Sequence, residues 1–252
     1  MRSGFGNKAV CHTVWCAVTG IVWLALAMLG VCTAIRAQAS QPQPGAPPLA
    51  EILAGMDQSA ADFTSMAASL EYTKVTVIVN DHSTQNGKIN FEKERGKTRV
   101  LISFTSPAEK HLLFADGKVQ FYQPKIAQVD EYQLSSRQDL VEQFLLLGFG
   151  TSGSELRNAY QITLRGSESI AQQQCFLLDL VPKSPKVAAQ LQRIQLWISP
   201  QSWEPIQQKF YEPGGDYVIA RYSDMKRNVK LSDKDFRLPL KGKVRTVRPQ
   251  GN

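Results

Sequence analysis

Gly148-Phe-Gly-Thr-Ser-Gly153 is the stretch nearest to a cofactor signature, because glycines at that spacing let backbone approach a pyrophosphate at a helix N-terminus. That chemistry needs a preceding strand in a βαβ unit. A predicted helix precedes it here, so no dinucleotide site is expected. Gly96-Lys97-Thr98 has the ending of a phosphate-binding loop, but the first glycine would have to stand where Phe91 is. Beyond the N-terminal leader the histidines are His82 and His111, and neither has metal-ligand spacing to a cluster of Cys, Asp or Glu. Asp130-Glu131 and Glu92/Glu94 fall in predicted strands or turns, where paired carboxylates read as a solvated face. No serine occupies a Gly-x-Ser-x-Gly elbow. Cys175 opens the apolar segment Cys175-Phe-Leu-Leu, which predicts a buried, inert thiol. These residues nominate no catalytic group, no metal and no cofactor, and the expectation is a protein that is not an enzyme.

What the chain does carry begins with an address. Arg2 and Lys8 form a basic start, Val14 to Val31 is an uncharged apolar run, and Ala37-Gln-Ala39 is the small-x-small pattern a signal peptidase cleaves. Residues 1–39 are therefore read as a signal peptide and 40–48 as a Pro-rich linker. The run is also long enough for an uncleaved inner-membrane anchor, and Cys32 leaves a third option, lipidation, although Val31 before it is large for that site. With the leader removed, Cys175 is the one cysteine left, so the fold must be stable without an internal disulfide.

The net charge of +7 is located at the two ends. Arg2, Lys8 and Arg36 lie in the leader, and Lys241, Lys243, Arg245 and Arg248 lie in the basic tail 240–252; together they account for the whole excess. The body is near neutral, which argues against a nucleic-acid partner. The tail reads as a solvated end, with an anionic membrane surface or acidic partner as the weaker alternative.

The elements that must build the body are mostly strands. Leu49, Ile52, Leu53, Met56, Ala60, Phe63 and Ala67 recur at helical spacing and predict a helix ending near Met66. The period then becomes two, with strands expected near 70–79, 84–94 and 97–105 separated by turns at 80–83 and 95–96. Asp116-Gly117 is a two-residue hairpin signal that pairs Phe114 with Val119 and Leu112 with Phe121, making one face apolar and the other mixed and able to meet water. A strand over 126–134 follows. Ser136-x-x-Asp139 then opens a helix over 137–147 with a broad apolar face of Leu140, Val141, Phe144, Leu145 and Leu147. After a Gly/Ser loop, strands are expected near 159–165, 174–181, 191–198, 205–211 and 216–223, with an extended piece about Phe236 and a helical turn over 185–190. Ten or eleven strands with few helices predict a mainly β (α+β) fold, a large curled antiparallel sheet with helices on its concave side. A closed barrel around a ligand is the alternative.

The ordered set Gly87-Lys-Ile-Asn-Phe-Glu-Lys, Arg99, Phe104-Thr-Ser-Pro107, Asp116-Gly-Lys118 with Tyr122-Gln-Pro124 and Gln128-Val129, Leu145-Leu-Leu-Gly148, Leu178-Asp-Leu-Val-Pro182 and Phe236 to Pro239 resembles the LolA family of periplasmic outer-membrane lipoprotein carriers. The likeness runs over a domain from residue 49 to 239. It implies an unclosed β-barrel under a helical lid, whose apolar cavity shields lipoprotein acyl chains between an inner-membrane ABC lipoprotein-release transporter and an outer-membrane acceptor, with the carrier a monomer. Leu112, Phe114, Val119 and Phe121 of the hairpin, and Leu140, Phe144 and Leu147 of helix 137–147, are then the candidate lipid-binding residues. Ordinary core packing explains the same apolar faces. The arginine that closes the lid in that family carries over to Arg95, with Arg99 next. Related folds serve as glycolipid carriers or as lipid-sensing envelope domains, which is the alternative function.

Overall fold

A computed structural model describes residues 46–94, 96–134 and 147–249. Leu49–Ala61 forms helix α1, started by Pro48 and favoured by Glu51 in its first turn. Its apolar stripe is buried: Ile52, Leu53 and Met56 are at most 1% exposed, each such burial being worth about 1.5–3 kcal/mol. The helix stops at Asp62, earlier than the expected end near Met66, because the helical and strand periodicities overlap over 63–67. The strand pattern wins: Asn228 receives the Thr64 backbone N–H at 2.9 Å and donates to the Asp62 carbonyl at 2.8 Å, which turns the chain.

The strands are β1 (Ser65–Thr76), β2 (Asp81–Glu94), β3 (Lys97–Ser106), β4 (Lys110–Ala115), β5 (Lys118–Gln123), β6 (Gln128–Gln133), β7 (Tyr160–Ile170), β8 (Gln173–Pro182), β9 (Arg193–Ile198), β10 (Pro205–Tyr211), β11 (Tyr217–Arg227) and β12 (Arg245–Val247). Helices α2 (Gly153–Ala159) and α3 (Pro185–Ala188) are short. All twelve strands form one sheet in the order β12-β6-β5-β4-β3-β2-β1-β11-β10-β9-β8-β7. β7 and β12 are its two edges and do not pair with each other, so the sheet is unclosed and the barrel alternative is excluded. Neighbours are antiparallel except for β12, which runs parallel to β6.

The Asp116-Gly117 hairpin has the expected register, Ala115 with Lys118 through His111 with Tyr122. Its apolar face, Leu112, Phe114, Val119 and Phe121, shares a side with Val100 and Ile102 of β3, turned toward the buried cluster that also holds Phe63, Phe91 and Phe149. A second cluster lies under α1, where Leu147, Leu156 and Tyr160 meet Leu178, Ile194, Leu196 and Ile198. The concave side of the sheet therefore carries two adjoining apolar clusters, and α1 and α2 belong to the second.

Several expectations are corrected. The hairpin's other face is covered over part of its length: Phe236 packs on Leu101 and Leu113, and the Lys241 N–H donates to the Tyr122 hydroxyl at 3.3 Å, while Ala115, Lys118 and Gln120 nearer the turn stay half-buried and meet water as expected. The piece about Phe236 is a 3-10 turn, Asp233–Phe236, closed by a Ser232/Asp235 capping box. Within the tail, Arg245–Val247 is a strand, and Arg248 donates to Glu131 at 2.9 Å. Val77 and Val79, expected in a strand, lie in the β1–β2 turn, which closes on Asn80 at φ 49°, an angle that asparagine tolerates better than β-branched residues do. α2 stands where the Gly/Ser loop was expected to run on to a strand. The helix expected over 137–147 lies outside the described residues except for Leu147.

Candidate functional site

Where the two clusters adjoin, the concave side holds a cavity of about 270 Å³ lined by Leu70 and Tyr72 of β1, Ile89 of β2, Ile102 of β3, Gln208 and Phe210 of β10, and Val218, Ala220 and Tyr222 of β11, with Leu191 beyond them. Strand alternation produces this lining: residues 70 and 72, 208 and 210, and 218, 220 and 222 share one side of the sheet. The wall is aliphatic and aromatic, with its polar groups gathered at Gln208. Tyr222 donates its hydroxyl to Gln208 Oε1 at 2.8 Å, and Gln208 Nε2 donates to the Leu147 carbonyl. Gln208 thus ties the chain entering the Gly148 loop to the cavity wall. Burial pushes the Tyr222 phenol well above its ordinary range and raises Tyr72 as well, so both rings stay neutral and Tyr222 donates without carrying charge. Such a surface can hold hydrocarbon; it offers no nucleophile and no base.

α1 is fastened beside this cavity by Arg227 of β11. Its guanidinium donates to Asp62 at 2.6 Å, to the Ser59 carbonyl in the last turn of α1, and through Nε to Glu204 at 2.9 Å, while lying over the Phe63 ring at 5.9 Å. A cation at those last carbonyls also suits the helix dipole. The Glu204 side chain is buried, and that burial raises its carboxyl against the opposing pull of Arg227; the Asp62 carboxyl is lowered by the same guanidinium. One turn earlier on the same side of α1, Gly55 lets the helix meet Trp203, since a Cβ there would fall 2.3 Å from the indole.

The residues singled out from the sequence are placed as follows. Phe114 is 1% exposed in the first cluster, Val119 packs partly buried against it, and Leu112 and Phe121 are half-buried on the same face. None of the four lines the cavity, although Leu112 pairs directly with its wall residue Ile102. Leu147 is buried in the second cluster, under α1. Leu140, Phe144 and Arg95 lie outside the described residues. Arg99 binds Glu92 through Nε at 2.8 Å and Asp233 at 2.8 Å, and its guanidinium covers the Phe236 ring at 4.4 Å, which fastens the C-terminal segment to β2 and β3. Arg227 was not a candidate; the signal for it is a basic residue just past the strand pattern of β11, facing Asp62 only once β1 and β11 pair.

The glycine run at 148–153 has a packing reason. Gly148 turns at φ 82° against Pro205, and Gly153 starts α2 so close to α1 that a Cβ would lie 2.5 Å from the Leu53 carbonyl. Among the described residues, no group of three or more His, Cys, Asp or Glu could hold a metal. No described helix is long and apolar enough to cross a membrane.

A family model with the description "Uncharacterized protein" matches residues 96–231. No curated protein matches the chain. Among solved structures, the chain is similar to a LolA superfamily protein from Nitrosomonas europaea, at 17% identity and a TM-score of 0.38 over 77% of this chain and 99% of that one. It is similar to a domain described as an outer membrane lipoprotein-sorting protein from Vibrio parahaemolyticus, at 15% identity and a TM-score of 0.42 over 74% and 94%. It is also similar to the MucA/MucB complex structure from Pseudomonas aeruginosa, at 14% identity and a TM-score of 0.46 over 78% of this chain and 63% of that one.

Proposed function

The chain belongs to the family of proteins whose model matches residues 96–231, and we propose that it binds the acyl chains of a lipoprotein or a related lipid in its concave apolar cavity. Its mainly β, unclosed architecture is LolA-like. In this reading it works in the periplasm without catalysis, receiving cargo from an inner-membrane ABC transporter and passing it to an outer-membrane acceptor.

The observation that carries the proposal is the cavity wall, which is aliphatic and aromatic apart from Gln208 and two neutral phenols. A volume of about 270 Å³ corresponds to roughly nine units of about 30 Å³, room for about that many methylenes. At about 0.8 kcal/mol each, their burial is worth about 7 kcal/mol, enough to hold one chain segment and still release it. Longer cargo requires the cavity to widen. The parts that can give are α1, held by Arg227, and the Leu147 segment, held by Gln208. Energy for loading would come from the donor, and direction from an acceptor that binds cargo more tightly.

Native mass spectrometry of the protein, gently purified from its own envelope, tests this. The expected result is copurifying acyl lipid or lipoprotein that dissociates at raised collision energy. A ligand-free protein, or one that carries only a protein partner, overturns the proposal.

A further inference from the structure

The seven-residue stretch Thr76 to His82 has its apolar residues at the point where a hairpin ordinarily places polar ones. Val77, Ile78 and Val79 are 50%, 87% and 69% exposed at the β1–β2 turn. The turn is held in shape rather than collapsed: the Val77 N–H donates to Asp216 at 2.9 Å and the Asn80 N–H to the Val77 carbonyl at 3.2 Å. Strands β1 and β5 both run toward this end of the sheet, and at the β5–β6 turn Ile126 is 58% exposed. Leu240 is 53% exposed in the C-terminal segment, which reaches the same place through the bonds from Lys241 to Tyr122 and from Arg245 to Ala127.

Cations accompany two of the three apolar points. Exposed Lys125 adjoins Ile126, and exposed Lys241 and Lys243 follow Leu240. The acids at this end are Asp81, Glu109, Glu212 and Asp216; Glu109 is already shared by His111 and Lys241, Glu212 is paired with Lys74 at 3.7 Å, and Asp216 is bonded to the Val77 N–H. Exposed aliphatic tips set beside lysines suit an interface with hydrocarbon just beneath a layer of negative charge.

We propose that this end of the sheet is a membrane-docking end that seats on an anionic bilayer leaflet, with Val77 to Val79 and Ile126 entering the headgroup boundary and the lysines meeting lipid phosphates. The two turns are four strand spacings apart, about 19 Å along the sheet at about 4.8 Å each, so two separate points fix the tilt. The cavity residues Leu191, Phe210 and Val218 lie toward the same end of their strands, which turns that part of the wall toward the leaflet. Docking needs no cargo, so it goes beyond the carrier reading and stands if that reading fails.

The test places a photoreactive diazirine amino acid at position 78 of the full chain, and at the exposed Lys97 position, at the opposite end of β2–β3, as the reference. Irradiation with vesicles of phosphatidylcholine containing about one-third phosphatidylglycerol should give lipid adducts at 78 about tenfold above those at 97. The excess should fall several-fold in pure phosphatidylcholine or in about 0.5 M salt, where charge is screened within about 4 Å. Comparing two sites in one chain reads the local contact whether or not the leader is present. In a second measurement, Ile78→Asp lowers vesicle partition relative to the parent and Lys97→Ala does not. Equal adducts at the two sites, adducts to protein in place of lipid when membranes are used, or labelling at 78 indifferent to phosphatidylglycerol overturn the proposal.

Discussion

Arg227 and Asp62, 165 residues apart in sequence, meet at 2.6 Å and join the end of α1 to the end of β11. The same guanidinium neutralises Glu204, whose side chain is only 3% exposed. Removing it leaves a buried carboxylate without its cation. Arg227→Ala should therefore destabilise the fold by about 2 kcal/mol, below the cost of breaking a fully buried pair because the arginine is partly in water. Glu204→Gln in that background should restore part of the loss. Urea unfolding of the two single variants and the double measures the coupling, and additivity between them would show that the pair is not the fastening.

The pH profile of stability follows from the opposite shifts of these two acids. Glu204 is raised by burial, so the folded state holds its proton more tightly than the unfolded chain does, and stability rises as pH falls from neutral toward the ordinary glutamate range. Asp62 is lowered by Arg227, and Glu131 by Arg248, so the stability they contribute is present above the ordinary carboxylate range and is lost as pH falls through their folded values. The expected curve of unfolding midpoint climbs slightly from pH 7 to about pH 5 and drops below about pH 4. Glu204→Gln should flatten the climb and keep the drop; a climb of unchanged size in that variant would assign it to another group.

Phe236 makes the C-terminal segment part of the fold. Its ring is 5% exposed between Leu101 and Leu113, with Arg99 over its outer side. Phe236→Ala should cost about 3 kcal/mol, the usual range for a buried phenylalanine, and should uncover both leucines. Arg99→Ala should cost less, since the guanidinium is bonded at the surface. Hydrogen exchange distinguishes release of the segment from global loosening: the amides of β12 should lose protection before those of β1. Simultaneous loss would mean that the segment is no separate unit.

The sheet was legible in the residues because alternation is local. Asp116-Gly117 specifies its own turn, and the register from Ala115 to Tyr122 follows from it without any distant contact. β12 was not legible, since Arg245-Thr-Val247 gains its strand character only by lying along Gln128 to Asp130. α2 carries a local signal of its own: Ser152 and Glu155 form a capping box in which Ser152 Oγ accepts the Glu155 N–H at 3.1 Å. The cavity was the least legible feature. Its wall combines β1, β2, β3, β10 and β11, and the neighbours β1 and β11 are joined by a pairing in which Leu70 meets Tyr222 across most of the domain's length. Hence the hairpin residues Leu112 and Phe114 could be assigned to the concave side, but the wall residues Ala220 and Gln208 could not be foreseen.

Ala220 is the position at which cavity volume can be removed with least disturbance elsewhere. It is 5% exposed on the cavity side of β11, opposite Gln208 and Tyr72 in the adjoining strands. An indole there projects into the hollow instead of into packed core, so Ala220→Trp should cost about 1–2 kcal/mol rather than the full penalty of an overpacked site. If the hollow holds acyl chains, the substitution should weaken binding of a fluorescent fatty-acyl probe by about tenfold or more, since filling about half of the space removes several kcal/mol of methylene burial. Trp substitution at Ile219, the preceding residue, whose side chain points to the opposite side of the sheet, supplies the comparison and should leave probe binding unchanged. Equal losses in both variants would trace the effect to damage of β11, and no loss at Ala220 would place the acyl site outside this cavity.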